Sequence, residues 1–418
     1  MERRIVSLFA AFLIVATSIA QSVSVTNSVQ VYATAQAAPA RITLNWTTHP
    51  STTGFTIYRK LRSATTWGST LATAAGTATS YQDNAVTVGT VYEYKVVRTA
   101  STGTGYGYVV AGIEAPITDY MGMIVLLVDN QLAPSLNLEL QQLQTDLKAD
   151  GWKVVRHDVS RTASVNSVRQ LVIGTYNTDP TNVKAVYAIG HVPVPYSGNI
   201  NPDGHAEHQG AWPCDGYYGE MNGTWTDNSV NNGGAQRVAN RNIAGDGKFD
   251  QSDFPSPVEL AVGRVDMYDM PAFSSSEVQL MKNYLDRAHS FKIKGFTPTV
   301  RGIVFDNLQW VANPLAGSAY KSMAPCVLPG VITDCYPYGP AYSTFINNQS
   351  YLWTYSSGGG LQATDNGVLT YNGADNITTT QGFAGGVANG GVFNMSFGSY
   401  FGDWDNRNNF LKAYIASG

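Results

Sequence analysis

The sequence of 418 residues has little cysteine, little histidine and little charge. It contains three cysteines and six histidines, and charged residues make up only 13% of the chain. The net charge of −4 gives no basic footprint for nucleic acid. Beyond the first twenty residues, no apolar run is long enough to cross a bilayer. These scarcities argue against nucleic-acid and multi-span membrane proteins and favour a secreted protein with a neutral polar surface.

The odd number of cysteines leaves two arrangements open. Cys326 and Cys335 lie nine positions apart around a Pro-Gly pair, so they could form a disulfide in an oxidising compartment and leave Cys214 over. The alternative is three unpaired, buried thiols.

Residues 1–20 have the pattern of a secretory signal peptide. A basic start precedes the apolar run Ile5–Ala16, and Ser18-Ile19-Ala20 fits a small-x-small cleavage site. A transmembrane anchor is the competing interpretation, but the run is short and interrupted by polar residues. We expect a mature chain that begins near Gln21, has no membrane span and is secreted or held at the cell surface.

About 400 remaining residues predict two or three domains. From 28 to 118, short alternating runs such as RITLNW and TVYEYKVVR are separated by turn residues, which predicts an all-β sandwich. Trp46 closes one strand, and Tyr92 and Tyr94 sit where a tyrosine corner would place them. Together these residues resemble a fibronectin type III domain, a fold that assigns no activity by itself.

From 119 to 418 the pattern changes to strands that alternate with helices. Met123–Val128 is an unbroken apolar run, typical of a strand buried on both faces of a parallel sheet. Leucines at helical spacing follow it between residues 134 and 149. This alternation predicts an open, mostly parallel α/β sheet with helices on both faces. Later strands are predicted at Trp152–His157, Ala185–Gly190, Val258–Val262, Val300–Phe305, Tyr351–Tyr355 and Val392–Met395, and a further helix is predicted from about Ser276 to Phe291.

Ligands of such sheets bind beyond the carboxyl ends of the strands. The loops that follow Gly190, Tyr355 and Met395 are therefore the first places to look for a site.

An acidic loop has the spacing of a twelve-residue calcium site. Position 3 has no donor, but a glycine occupies the sharp turn at position 6. This pattern predicts a weak, structural Ca²⁺ site of the extracellular type, and the alternative is an Asp/Gly-rich surface turn. The predicted ligands are Asn242, Asp246, the carbonyl of Lys248, Asp250 and Asp253.

A second polar cluster could line a site. His205, His208, Cys214 and Asp215 fall within eleven residues, so two imidazoles and a thiol could bind zinc and support a metal hydrolase. The His-x-x-His spacing is not that of a zincin helix. The alternative is a loop held by hydrogen bonds among its own side chains.

Five phrases of the chain, taken in order, resemble the gingipain-like cysteine peptidases over residues 119–418. The resemblance implies a caspase-like α/β fold that cuts peptide bonds with a His and a Cys at two adjacent strand ends. The phrases are VYAIGHVPVP (186–195), DGYYGEMNG (215–223), VELAVGRVDM (258–267), WTYSSGGG (353–360) and VFNMSFGSYFGDWD (392–405).

At the two positions that the resemblance assigns to the dyad, this chain has Gly358 and Ser396, or Phe397 with a shift of one residue. No histidine follows His289, and no cysteine follows Cys335. A glycine cannot act as a base, and a serine without a base is a poor nucleophile.

We therefore expect a pseudoenzyme that binds an extracellular protein or polysaccharide. The alternative is an active cysteine-type endopeptidase whose nucleophile lies elsewhere or beyond residue 418. A helix predicted from Asn409 to Ile415, close to Gly418, leaves open that the domain is truncated at its C-terminus.

Overall fold

The computed structural model describes residues 23–115, 120–201, 204–308, 314–335, 341–347, 349–358 and 378–418. The predicted signal peptide, the boundary predicted at 118 and the two glycines after Gly358 lie outside these ranges. Among the described helices, none combines the length and the apolar character that a membrane crossing requires.

The N-terminal region is a β-sandwich of a three-stranded and a four-stranded antiparallel sheet, with strand orders β1-β2-β5 and β4-β3-β6-β7. Inward side chains alternate with outward ones, and Trp46 and Tyr94 lie in the core at 3% and 0% exposure. The Trp46 indole donates to the Ala78 carbonyl at 2.8 Å. The strands are β1 Val31–Gln36, β2 Arg41–Trp46, β3 Thr52–Leu61, β4 Ala72–Ala75, β5 Ser80–Asp83, β6 Val91–Ala100 and β7 Gly103–Gly112.

A short helix, α1 (Val23–Thr26), precedes the sandwich and packs against a helix of the α/β region. Its chain is fixed by Arg98 of β6, whose guanidinium donates to the carbonyl of Ser28 at 3.1 Å and to that of Thr26. These hydrogen bonds fix the N-terminal segment to the sandwich, while α1 packs against α5 (Pro314–Val327).

The first α/β unit contains a four-stranded parallel sheet with the order β15-β10-β8-β9. Every residue of β8 is buried, as its unbroken apolar sequence predicts. Between β10 and β15 the chain makes a long excursion with two small antiparallel pairs. The elements are β8 Gly122–Asp129, α2 Asn137–Ala149, β9 Trp152–Val159, α3 Val165–Tyr176, β10 Val183–Ile189, β11 Tyr196–Ile200, β12 Gly210–Pro213, β13 Asn231–Asn232, β14 Asn242–Ile243, β15 Ala261–Val265 and α4 Glu277–Lys292.

The second α/β unit contains another four-stranded parallel sheet, with the order β17-β16-β18-β19. Its helix α5 contacts α1 and both edge strands of the sandwich that face it, β1 and β7. The elements are β16 Gly302–Asp306, α5 Pro314–Val327, β17 Ile332–Cys335, α6 Tyr342–Ile346, β18 Tyr351–Ser357, α7 Thr380–Ala384, β19 Gly391–Phe397 and α8 Phe410–Ala416.

The prediction of one open sheet was wrong, because the described strands form two sheets that share a core. Leu126 of the first sheet and Phe305 of the second belong to the same apolar cluster as Leu285 of α4 and Phe410 of α8. The two sheets are thus joined by packed side chains, including those of α4 and α8, and not by hydrogen bonds between their strands.

The strand predicted at Val258–Val262 begins three residues later, at Ala261. Instead of pairing in the sheet, the N–H groups of Glu259 and Leu260 both donate to the carbonyl of Gly219, at 3.1 and 3.0 Å. The other predicted strands of the α/β region coincide with β8, β9, β10, β16, β18 and β19.

Candidate functional site

The two segments predicted to carry a catalytic dyad lie side by side at the end of the second sheet. β18 and β19 are parallel, and Ser356 is paired with Ser396. The two hydroxyls are hydrogen-bonded at 2.9 Å. The N–H of Gly358 donates to the carbonyl of Phe397 at 3.1 Å. The two positions predicted for the dyad, Gly358 and Ser396, therefore lie at adjacent strand ends, and the hydroxyl of Ser396 is bonded to that of Ser356.

Ser396 belongs to a ladder of polar side chains across β18 and β19. One step before it, the Thr354 hydroxyl donates to the Asn394 amide oxygen at 2.6 Å. Nearby, the buried hydroxyl of Tyr414 donates to that of Tyr342 at 2.6 Å. Hydrogen bonds in this ladder satisfy polar side chains of the two strands, Ser396 among them.

The carboxyl end of β16 meets the N-terminal segment. Ser24, which is fully buried, donates its hydroxyl to Asp306 Oδ2 at 2.5 Å. Ser357, the last residue of β18, donates to Oδ1 of the same carboxylate at 3.0 Å. Because β17 and β18 lie on opposite sides of β16, this is the switch point of the sheet, where α/β proteins bind ligands. In this chain, Ser24 of the N-terminal helix α1 contacts the switch point through its bond to Asp306.

At the switch point of the first sheet, charged side chains surround the end of β8, whereas hydroxyls surround the end of β16 in the second. Asp129 ends β8 and is fully buried. The Arg161 guanidinium donates to it through Nε and to Glu277 Oε1 at 2.7 Å. The N–H of His191, just after β10, donates to Asp129 Oδ2 at 3.1 Å. The backbone turns there at Gly190, with φ +82°.

The imidazole of His191 is fixed by Asp266, which follows β15. Its Nδ1 lies 2.8 Å from Asp266 Oδ2, and the ring stacks on Tyr268 with centroids 4.1 Å apart. Burial alone would raise the pKa of Asp266, but the hydrogen bond from His191 and the charges of Lys412 and Arg264 hold it below its usual value. An ionised carboxylate at Nδ1 leaves Nε2 as the acceptor, and the side chain is 22% exposed. This pair can hold or transfer a proton.

In the predicted zinc cluster, His205, His208 and Asp215 contact side chains from other parts of the chain. His208 Nε2 is 3.0 Å from Asp403 Oδ2, and both side chains are buried. Asp215 accepts two bonds from the Arg264 guanidinium, each at 2.7 Å. His205 stacks on the buried ring of Tyr400, which also contacts His208. These partners lie far from the loop in sequence, so the alternative of a loop held only by hydrogen bonds among its own side chains does not describe this geometry either. The described residues contain no group of three possible metal ligands.

No sequence pattern indicated the partner of His208, because Asp403 is 195 residues away. Arg237 bridges the same carboxylate at 3.1 Å and Asp405 at 2.5 Å. Tyr196 donates to Asp405 as well. This buried network fastens the excursion after β10 to the loop after β19.

The structure leaves Cys214, Cys326 and Cys335 free, so the disulfide alternative is wrong. Burial raises the pKa of the Cys214 thiol to about 11 and that of Cys335 to about 12. A nucleophilic cysteine requires the opposite shift.

In the acidic loop, the chain itself supplies donors to the predicted calcium ligands. Asp250 accepts from three backbone N–H groups and the Thr226 hydroxyl, which lower its pKa. Asp246 accepts from the N–H groups of Ile243 and Lys248. Asp253 is exposed.

One observation favours a cation in this loop. Asn242 is fully buried, and its Oδ1 has no hydrogen-bond partner. Asp227, which the sequence did not single out, braces the loop by accepting from Gly245 and Gly247, each at 2.7 Å. Calcium binding stays a prediction.

Comparison with known proteins gives distant structural likenesses. Gingipain R, an Arg-specific cysteine proteinase of Porphyromonas gingivalis, has a TM-score of 0.44 at 12% identity, over 72% of this chain and 60% of that one. An Fn3-like protein from Clostridium thermocellum has a TM-score of 0.18 at 22% identity, over 21% of this chain and 90% of that one. Pectate lyase PelI from Erwinia chrysanthemi has a TM-score of 0.19 at 17% identity, over 24% of this chain and 32% of that one.

This chain thus spans less than two thirds of gingipain R and about a third of the pectate lyase. No protein-family model and no curated protein matches the sequence.

Proposed function

We propose that this protein is secreted and acts by binding an extracellular protein or polysaccharide, on a peptidase-like α/β scaffold that has lost its peptide-cutting groups. The observation that carries the proposal is the pair of strand ends at β18 and β19. Ser396 is bonded to Ser356 there, and Gly358 has no side chain that could act as a base. The raised pKa values of two thiols support the same conclusion.

The sandwich before this scaffold is proposed as a fibronectin type III-like spacer. Its seven strands, the buried Trp46 and the Tyr92 hydroxyl that accepts from the Thr87 N–H at 3.1 Å support this interpretation. Such a module holds the α/β region at a distance from its neighbours and needs no chemistry of its own.

Proteolysis is the test. The purified chain is incubated with a mixed library of internally quenched peptides, with and without alkylation by iodoacetamide. We expect no turnover above buffer, and Ser396→Ala leaves the result unchanged. Turnover that alkylation or Ser396→Ala removes would refute the proposal and favour an active endopeptidase.

The His191–Asp266 pair supports a second candidate, a hydrolase in which His191 activates water as a general base. Turnover in the same library that survives alkylation but disappears in His191→Gln, with Ser396→Ala unaffected, would favour this candidate.

Calcium binding by the acidic loop is proposed as a structural addition. The missing donor at position 3 implies a dissociation constant of about 1 mM. At about 10 mM Ca²⁺, binding then stabilises the fold by about 1.4 kcal/mol. Asp246→Asn should remove a rise in Tm that Asp286→Asn, an exposed control on α4, retains. A Tm that does not respond to Ca²⁺ refutes the site.

A further inference from the structure

A groove of 620 Å³ lies between β19 and the C-terminal half of α4. Four aromatic side chains line it, those of Tyr284, Phe291, Phe296 and Phe393. Phe393 of β19 is 40% exposed and Phe296, after α4, is 42% exposed. The ring of Phe291 meets Phe393 edge-to-face, with centroids 5.6 Å apart. Aromatic rings that remain exposed inside a groove are typical of a binding surface.

The strand that forms one wall is the edge of its sheet. Among the described strands, β19 pairs with β18 on one side and with no strand on the other. An edge strand presents a row of backbone N–H and C=O groups that can pair with another strand, and proteins commonly block it with charge or proline. β19 has the sequence GVFNMSF, with neither. Its backbone is therefore suited to accept an extended segment.

The other wall supplies Arg287, a cation that forms no ion pair with a described side chain. Gly418, the last residue of the sequence, lies beside its guanidinium. Arg287 of α4 is partly buried, and its guanidinium donates to the carbonyl of Ile415 at 2.6 Å. None of the described carboxylates forms an ion pair with it, and burial lowers its pKa. Lys292, the second cation of the groove, is already paired with Asp150. No Asp or Glu is among the described residues that line the groove.

We propose that this groove binds an extended peptide segment of a partner protein, which adds a strand to the edge of β19 and presents a carboxylate to Arg287. Apolar side chains of the segment pack on Phe393 and Phe296. Alternation along a strand sends such side chains to one face, while backbone bonds supply affinity that is independent of sequence. The carboxylate supplies the charge that a partly buried guanidinium requires.

Charge complementarity favours this occupant over a second copy of the chain. In a symmetric pair of edges the same surface faces itself, so the cationic grooves would meet each other. A peptide that carries a carboxylate instead neutralises the positive charge of Arg287. The inference places the proposed binding function at this groove. It rests on the proposed function only in taking the bound peptide to be part of a natural partner.

The test uses two fluorescein-labelled nonapeptides, Val-Thr-Val-Thr-Asp-Thr-Val-Thr-Val, whose Val and Asp side chains share one face of a strand, and its counterpart with Asn in the centre. Their affinities for the purified full chain are measured by fluorescence anisotropy. We expect the Asp peptide to bind about tenfold more tightly, because a charge-assisted bond to Arg287 is lost in the Asn peptide. Arg287→Met should make the two affinities equal, and Arg287→Lys should retain part of the difference. Arg62→Met, an exposed change in the sandwich, is the control.

Phe393→Thr provides a second variant, which keeps a residue that favours strands and should weaken both peptides alike. Circular dichroism establishes that each variant is folded. Equal affinity of the unaltered chain for the two peptides, discrimination that survives Arg287→Met, or no binding at about 1 mM peptide would overturn the proposal. A dimer in sedimentation velocity that Phe393→Thr dissociates would assign the groove to a second copy and overturn it too. Cleavage of the bound peptide would refute the proposed function and leave this inference standing.

Discussion

The two parallel sheets share one strand order but differ in the chemistry at their carboxyl ends. In both, the second strand lies on one side of the first, and the third and fourth lie on the other. In both, the first strand ends in a buried aspartate, Asp129 or Asp306. Arg161 neutralises the former, whereas the hydroxyls of Ser24 and Ser357 surround the latter. Strand order therefore decides where a site lies and does not decide what the site can do.

The third strands extend the comparison. β10 ends in YAIGH (187–191), and β18 continues into YSSGG (355–359). The N–H of Gly190 donates to the carbonyl of Val265 at 2.8 Å, and that of Gly358 donates to Phe397 at 3.1 Å. The two glycines thus have equivalent places in their sheets. In the sequence, the next residue is a histidine in the first unit and a glycine in the second.

Removing the cation of the first sheet should have the largest effect. Arg161→Met leaves Asp129 as a buried, uncompensated charge and should lower the free energy of unfolding by about 3–5 kcal/mol. Urea denaturation at pH 7 measures it. Arg156→Met removes a partly exposed pair with Asp158 and should cost less than about 1 kcal/mol. Equal losses of unfolding free energy in the two variants would mean that the buried Arg161–Asp129 pair stabilises the fold no more than the exposed pair does.

The turn at Gly190 should be the next most sensitive position. A Cβ there would lie 2.7 Å from Asp129 Cβ and from Leu132 Cδ1, and the φ of +82° is strained for alanine. We expect Gly190→Ala to destabilise the fold by about 2–4 kcal/mol in urea. Gly204→Ala has a similar φ of +79° in open space, so it should cost only about 1–2 kcal/mol. If Gly190→Ala costs no more stability than Gly204→Ala, the close contacts at Gly190 do not contribute to the loss.

At the second sheet, Ser24→Ala should have a smaller effect than Arg161→Met. It removes one donor from the buried Asp306, which keeps the bond from Ser357, so we expect a loss of about 1–3 kcal/mol. Ser101→Ala, in an exposed turn, provides the baseline. If both serine variants unfold at the same urea concentration, the N-terminal segment does not contribute to this edge.

The smallest effect should appear in acid. Asp266 has a lowered pKa in the folded chain, so its contribution is present above the unfolded value of about 3.9 and is lost as the pH falls through the folded pKa. Asp266→Asn should therefore reduce the difference between urea midpoints at pH 7 and at about pH 3. Asp269→Asn, at a more exposed pair with Arg407, should not. Identical acid sensitivity in the unaltered chain and Asp266→Asn would contradict the direction of this shift.

The local sequence pattern predicted many of the strands and helices, because burial periodicity and helix capping depend on residues that are close in sequence. The apolar run of β8 is buried throughout, and Ser276 caps α4 by accepting from Gln279 at 3.2 Å, close to where that helix was predicted to begin. Long-range contacts were not predictable in this way. Ser24 and Asp306 are 282 residues apart, and His208 and Asp403 are 195 apart.

The division into two sheets also escaped prediction, since period and composition do not say which strands share hydrogen bonds. The candidate site was only partly predictable. The rule of strand ends selected the loop after Gly190, but Asp266 as the partner of His191 required the fold. The repetition of Tyr187–His191 in Tyr355–Gly359 was the signal within the sequence that could have identified the imidazole.

Covalent labelling tests most directly whether the second sheet has lost its peptide-cutting groups. The folded chain is treated with a fluorophosphonate and, separately, with a peptidyl chloromethyl ketone, and its mass is compared with that of chain treated in urea. The account predicts no adduct on Ser396 and no thiol that reacts faster in the folded chain than in the unfolded one. A stoichiometric adduct on Ser396, or on one cysteine of the folded chain alone, would contradict it.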